Sequence, residues 1–306
     1  MIKGVILLIL FTIIAFIIGK LVSKLKLPSI LGWLITGMII GPHALNWMNS
    51  SIMDAQWYHI LTNIGEVLVG MLIGTELIIK ELKKSGKQIV TICLFEGMSA
   101  FILVAIAFFI FADIPISIAL VFGAIALATA PAPSLSIVKE YNAKGPVSKT
   151  LIPLAALDDV LGLIVFFLVI GVVSGGMTGE SVNIISILMM IILPLAIGGV
   201  TGYIGSKILK NKCSKIETIL KIAILIVVTV VIGRYVNNIL SINLLLSGIS
   251  FSAIIANTVK KERLHEIMEV MNPIIGIGLV VMVIDLGAPL DYNLIFGAGI
   301  FTAIYI

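Results

Sequence analysis

Apolar runs of about 18 to 25 residues recur along the chain from end to end, broken only by short polar loops. That is the length an α-helix needs to cross a hydrocarbon core ~30 Å thick. The runs fall at about 2–19, 27–41, 60–79, 88–111, 114–138, 150–173, 182–208, 219–236, 242–259 and 267–286. An eleventh begins at Leu294 and reaches the last residue, Ile306, after thirteen positions. The pattern predicts an all-α polytopic membrane protein with about 10 complete spans and a partial eleventh. No soluble domain or linker interrupts it.

Composition agrees, with 60% of the 306 residues hydrophobic and only 12% charged, against ~25% charged in an average soluble domain. The charges are also sorted. Eighteen of the 20 Lys and Arg lie in the loops after the odd-numbered runs, around Lys20–Lys26, Lys80–Lys87, Lys139–Lys149, Lys207–Lys221 and Lys260–Arg263. The alternate loops carry Asp54, Asp113, Glu180 and Asp291, with Arg234 beside one of them. By the positive-inside rule the basic loops are cytoplasmic and the N-terminus is outside a cell membrane. A net charge of +4 spread over short loops is no nucleic-acid footprint. Lys3 before an apolar run suggests a signal peptide, but the run is long, Lys20 follows it and no small-x-small cleavage site appears. It is therefore read as a span. Cys93 within a span and Cys213 in a cytoplasmic loop imply no disulfide.

Three short segments repeat in order. "GKLV" at 19–22 matches "GRYV" at 233–236, "IIGP" at 39–42 matches "IIAN" at 254–257, and "GTEL" at 74–77 matches "GAPL" at 287–290. The offsets are 214, 215 and 213, so spans 1–3 correspond to spans 8–10. A shift of seven spans reverses membrane direction, the mark of inverted repeats in secondary transporters. Spans 4–6 should then have partners near 302–387, beyond Ile306, which predicts a C-terminally truncated core.

The chemistry concentrates in spans 5 and 6. Pro131 and Pro133 lie deep inside span 5. Each removes a helical hydrogen bond and clashes with the carbonyl four residues back, and two at this spacing predict an unwound turn. Free backbone at that depth is tolerated where it lines protein or a water-filled cavity. Carbonyls beside Thr129 and Ser134 suit a small dehydrated cation. Span 6 carries adjacent acids, Asp158 and Asp159, in an otherwise apolar stretch. Thr129 and Asp159 each lie about nine residues from the cytoplasmic end of their span, roughly 13 Å deep at 1.5 Å per residue. Broken backbone and carboxylates thus share one level. An acid at the helix centre costs on the order of 3 kcal/mol to insert, so its presence points to function. A carboxylate there holds a proton or a cation, and competition between the two is the minimal machinery of exchange.

The remaining polar residues divide. Gly70, Gly74, Gly198 and Gly202 mark close helix packing. His43, His59 and His265 lie in loops without metal-ligand grouping, and no cofactor is called for. Glu96, near the cytoplasmic end of span 4, either lines a funnel towards the site or reaches the interface. Glu66 and Glu76 are read as structural.

"LKLPSILGWLITGMIIGP", "NIGEVLVGMLIGTEL", "ATAPAPSLSIV" and "AALDDVLGLIVF" resemble the successive motifs of the monovalent cation/proton antiporters, the bacterial sodium/proton exchanger group. The resemblance covers essentially the whole chain. It implies two inverted repeats, with a core domain containing broken helices moving against a dimerisation domain, and a homodimer in the bilayer. By position, Asp159 matches the essential cation and proton carboxylate. Asp158 matches the variable first acid, Asp in electrogenic members and Asn in many electroneutral ones. Thr129 and Ala130 match the unwound ion-binding segment. Ala155 and Ala156 stand where some members carry a serine. The helix that pairs a base with the first acid falls beyond Ile306.

The expected function is exchange of Na⁺ for H⁺, the scaffold lying at about 1–83 and 210–290 and the core at about 84–175. K⁺ or Li⁺ is the alternative cation, and potassium efflux or a related solute carrier the alternative activity. An intramembrane aspartyl protease would need its two acids on facing helices, and an inactive fragment is the remaining alternative.

Overall fold

Every backbone group inside a bilayer must be bonded within its own segment, and a chain this apolar meets that demand with helices. In the computed structural model, which describes residues 2–112, 114–127, 145–178, 184–237 and 242–291, the regular elements are all helical. They are α1 (Ile2–Lys24), α2 (Ser29–Ile40), α3 (Ser50–Met53), α4 (Gln56–Gly74), α5 (Ile79–Phe111) and α6 (Ile116–Leu127). After these come α7 (Pro146–Thr178), α8 (Ile184–Leu209), α9 (Lys215–Asn237), α10 (Leu244–Thr258) and α11 (Lys261–Gly287). Among the described residues, five stretches are long and apolar enough to cross a membrane: Gly4–Lys24, Gly86–Phe111, Leu188–Leu209, Lys215–Asn237 and Lys261–Gly287. Ser29–Ile40, Ile116–Leu127, Leu161–Val173 and Leu244–Thr258 are apolar but shorter.

Several boundaries differ from the hydropathy pattern, each for a local reason. The third expected span, 60–79, is helical from Gln56 to Gly74. Its first turn is polar, and its end is fixed by Asn257 of α10. The Asn257 amide donates to the Leu77 and Ala253 carbonyls at 2.7 Å and accepts from the Ile79 amide at 2.7 Å. Helix α11 starts at Lys261, six residues before the expected 267, because its charged first turns are helical without being apolar. The short α3 was not expected; Asn49 caps it, its side chain accepting from the Ile52 amide at 3.2 Å. Within α5 the backbone breaks at Gly86, where φ is +74°. That left-handed value favours glycine, and it separates the lysine-rich Ile79–Ser85 piece from the apolar rod that follows.

Two sets of helices pack separately. Helices α5, α6 and α7 lie on one another; α4, α8, α9, α10 and α11 form a second set, with α1 and α2 against α11, and α7 also touches α8. One apolar cluster joins α4, α9, α10 and α11 through Met71, Ile226, Phe251 and Met271. Another joins α1, α2, α4 and α11 through Phe11, Ile40, Tyr58 and Ile284. The outward faces of α1, α5 and α9 carry Phe16, Phe95, Leu103, Ile224 and Val231 in the open, an apolar area too continuous for water.

Glycine sets the spacing, as expected at Gly70, Gly74, Gly198 and Gly202. A Cβ on Gly70 or Gly74 would strike the α10 backbone at Leu245 or Ile249, and one on Gly248 the α4 backbone at Val67. Gly198 and Gly202 of α8 meet Ser247 and Phe251 of α10 in the same way. Between α2 and α11, Gly287 faces the Leu34 carbonyl and Gly37 the Ile284 carbonyl. Where α4 crosses α11, Gly65 faces Met282 and Gly278 faces Leu68.

Candidate functional site

The predicted acids belong to α7. Asp158 is buried, at 1% exposure. Asp159 is the next residue of the same helix, its side chain outside what is described. The two acids are therefore neighbours on one helix, whereas an aspartyl protease pair needs them on facing helices.

Thr129, Ala130, Pro131, Pro133 and Ser134 lie outside the described residues. The helix leading to them is described up to Leu127, which is fully buried. A Cβ on Gly97 of α5 would lie 3.1 Å from the Leu127 side chain and 3.4 Å from that of Leu161. Helices α5, α6 and α7 therefore converge around Gly97. Leu161 stands one turn of α7 after Asp158, and Leu127 two residues before Thr129. The last described residue of α6 is thus within about one helical turn of the level of Asp158.

Two cavities flank this junction. One of about 190 Å³ lies between α5 and α7, lined by Cys93, Leu94, Leu157 and Leu161. Cys93 is buried there beside the residues that bracket Asp158, a position its sequence context did not single out. The second, of about 320 Å³, separates the two helix sets. Its walls are Val69 and Ile73 of α4 and Leu245 of α10 on one side, Ala124 of α6 and Gly162 and Phe166 of α7 on the other. Glu96 immediately precedes Gly97 and is exposed on α5.

The second helix set holds polar contacts that sequence reading passed over. The Tyr58 hydroxyl donates to Asp285 Oδ1 at 2.6 Å, tying α4 to α11. Asp285 falls at the end of an apolar run, and the only signal for it was a lone charge there. Glu66, read as structural, accepts the Leu244 amide on Oε2 at 3.2 Å and so caps α10. At the other end of this set Arg263, 8% exposed, donates to the Leu209 carbonyl, Glu266, Cys213 Sγ and Thr218. That node clamps the α8–α9 loop to the start of α11. Among the described residues no group of His, Cys, Asp and Glu has the arrangement of a metal-ion site.

Residues 7–306 match the family described as sodium/hydrogen exchanger, transmembrane. The chain is 34% identical over 76 residues to the Na⁺/H⁺-K⁺ antiporter GerN of Bacillus cereus. That match spans 25% of the chain and 19% of the relative's length. Among solved structures it resembles the sodium proton antiporter MjNhaP1 of Methanocaldococcus jannaschii, with a TM-score of 0.70 and 19% identity. The likeness covers 99% of this chain and 76% of that one, and it shows a shared fold. Family and apolar helices together make this an integral membrane protein.

Proposed function

The chain belongs to the sodium/hydrogen exchanger family, and we propose that it exchanges a monovalent cation, Na⁺ first, for protons at Asp159 and Asp158. The observation that carries this reading is the convergence of α5, α6 and α7 at Gly97, which supports a shared level for the buried acid and the residues following Leu127. A carboxylate there, faced by freed carbonyls of the Thr129–Ser134 segment, alternately holds H⁺ and a dehydrated cation. Since both compete for one group, loading from one side and release to the other couples their flows.

The separate packing of α5–α7 and of α4 with α8–α11 supports a core that moves against a scaffold, with the 320 Å³ cavity between them. Glycine contacts support the inverted repeat behind that division. Gly287 faces the Leu34 carbonyl as Gly74 faces the Ile249 carbonyl, and these pairs are related by the offsets of 213 and 215 read from sequence. Gly65 and Gly278 are related by 213 and lie at the same crossing. On this reading ten spans place the lysine-rich loops in the cytoplasm, and the apolar outer faces meet lipid or a second copy in a homodimer. Potassium is the second candidate cation, supported by the name of the B. cereus relative.

Proteoliposomes carrying an outward or inward ΔpH test the activity. Added Na⁺, Li⁺ or K⁺ should collapse the gradient in protein-containing vesicles alone, and the cation with the lowest half-saturating concentration is the substrate. No cation-dependent proton movement with any of the three would sink the proposal. A second expected result concerns the break. Changing Pro131 and Pro133 together to Ala restores two helical hydrogen bonds and withdraws carbonyls from the site. The variant should insert and fold, with the half-saturating cation concentration raised about tenfold, the equivalent of one lost ligand of ~1.4 kcal/mol. An unchanged value would remove the segment from the site.

A further inference from the structure

Glu66 sits in the scaffold, on no element that carries the acidic pair. Its Oε2 accepts the Leu244 amide, while Oε1 takes no hydrogen bond among the described residues. The residue is half-buried. Val69 and Ile73 follow it by three and seven positions on α4, so the three share one helical face, and both line the cavity between the helix sets. Leu245, next to the residue that Glu66 caps, lines it too. On the far wall are Gly162, Leu163 and Phe166, which begin one turn of α7 after Asp158 and Asp159.

The order along this path has a direction. Helix α7 runs away from the lysine-rich loops, so Gly162 and Phe166 lie on the lysine-poor side of the acids. Helix α4 runs towards those loops, so Glu66 lies on the lysine-poor side of Val69 and Ile73. The cavity thus lies between the level of the acidic pair and that of Glu66, which stands one turn beyond its Val69 wall.

We propose that Glu66 is a second cation-attracting carboxylate, fixed in the scaffold, that draws the monovalent cation into the path from the lysine-poor side. It is a positioning residue. The Leu244 amide holds the carboxylate in place, and its charge acts on the approaching ion from a distance. This rests on the exchange activity proposed above.

Right-side-out and everted vesicles containing the protein separate the two sides, with Glu66→Gln and Glu66→Ala compared. Gln keeps an acceptor for the Leu244 amide and removes the charge; Ala removes both. Both variants should raise the half-saturating Na⁺ concentration on the lysine-poor side about tenfold, the scale of one charge ~12 Å away at an effective dielectric constant of ~20. The maximal rate should stay within about twofold and the lysine-rich side should be unchanged, because the carboxylate acts on approach alone. If Gln behaves as the unmodified protein and only Ala is impaired, Glu66 is a helix cap and the inference is overturned. Equal loss on both sides overturns it as well. An unmodified protein that exchanges nothing refutes the exchange reading itself, an outcome distinct from either.

Discussion

Asp159→Asn is expected to abolish cation-driven proton movement while leaving insertion, yield and melting temperature close to those of the unmodified protein. Asn keeps the shape and a hydrogen-bonding oxygen but carries no exchangeable proton and no charge. The loss should be about 100-fold or more, the scale on which a positioned proton-transfer group contributes. A neutral residue in the interior of α7 is also cheaper to bury than an acid by on the order of 3 kcal/mol, so the variant has no reason to unfold. A stable but silent variant is the signature of a group retained for function. Near-normal exchange in Asp159→Asn proteoliposomes would move the carrier role elsewhere, first to Asp158, whose buried position one residue earlier makes it the alternative.

Much of the helical architecture was legible because a bilayer imposes a length and a polarity on whatever crosses it. The apolar runs located the described helices apart from α3. What hydropathy missed was polar yet helical. The first turns of α11, from Lys261 to Glu266, and the start of α4 at Gln56 continue their helices into the interface, where no apolar signal marks them. Gly86 was equally silent, since a positive φ leaves no trace in a composition profile.

The acidic pair was legible for the opposite reason. Two carboxylates in an apolar run are costly, so their presence carries information that a lysine in a loop does not. Glu66 and Asp285 are single acids whose meaning depends on partners about 180 and 230 residues away, Leu244 and Tyr58 respectively. Only the packing of α4 between α10 and α11 joins them. Glycine stood between these extremes. Its spacing in α4 and α8 announced close approach, while its partners Gly248, Ser247 and Phe251 emerged from the fold.

Gly248→Leu is expected to be the most destabilising scaffold substitution. Without apolar solvent exclusion to drive helices together in lipid, α4 and α10 are held by backbone-close packing, which small residues permit. A Cβ at Gly248 meets the carbonyl, carbonyl carbon and Cα of Val67, and none of these is a side chain that rotates aside. The helices must separate, and the contacts at Gly70 and Gly74 on the same seam open with them. Overpacking in adaptable cores costs about 1–3 kcal/mol; a collision with backbone belongs at or above the top of that range. Purified in detergent, the variant should be recovered poorly or melt well below the unmodified protein. Gly276 of α11 is the control, since a Cβ there meets nothing within 4 Å. Gly276→Ala should hold or raise the melting temperature, as Ala is better than Gly within a helix by about 1 kcal/mol. If Gly248→Leu melts within about 2 °C of the unmodified protein, a shift worth only about 1 kcal/mol in a protein of this size, the α4–α10 seam is not what holds the scaffold together.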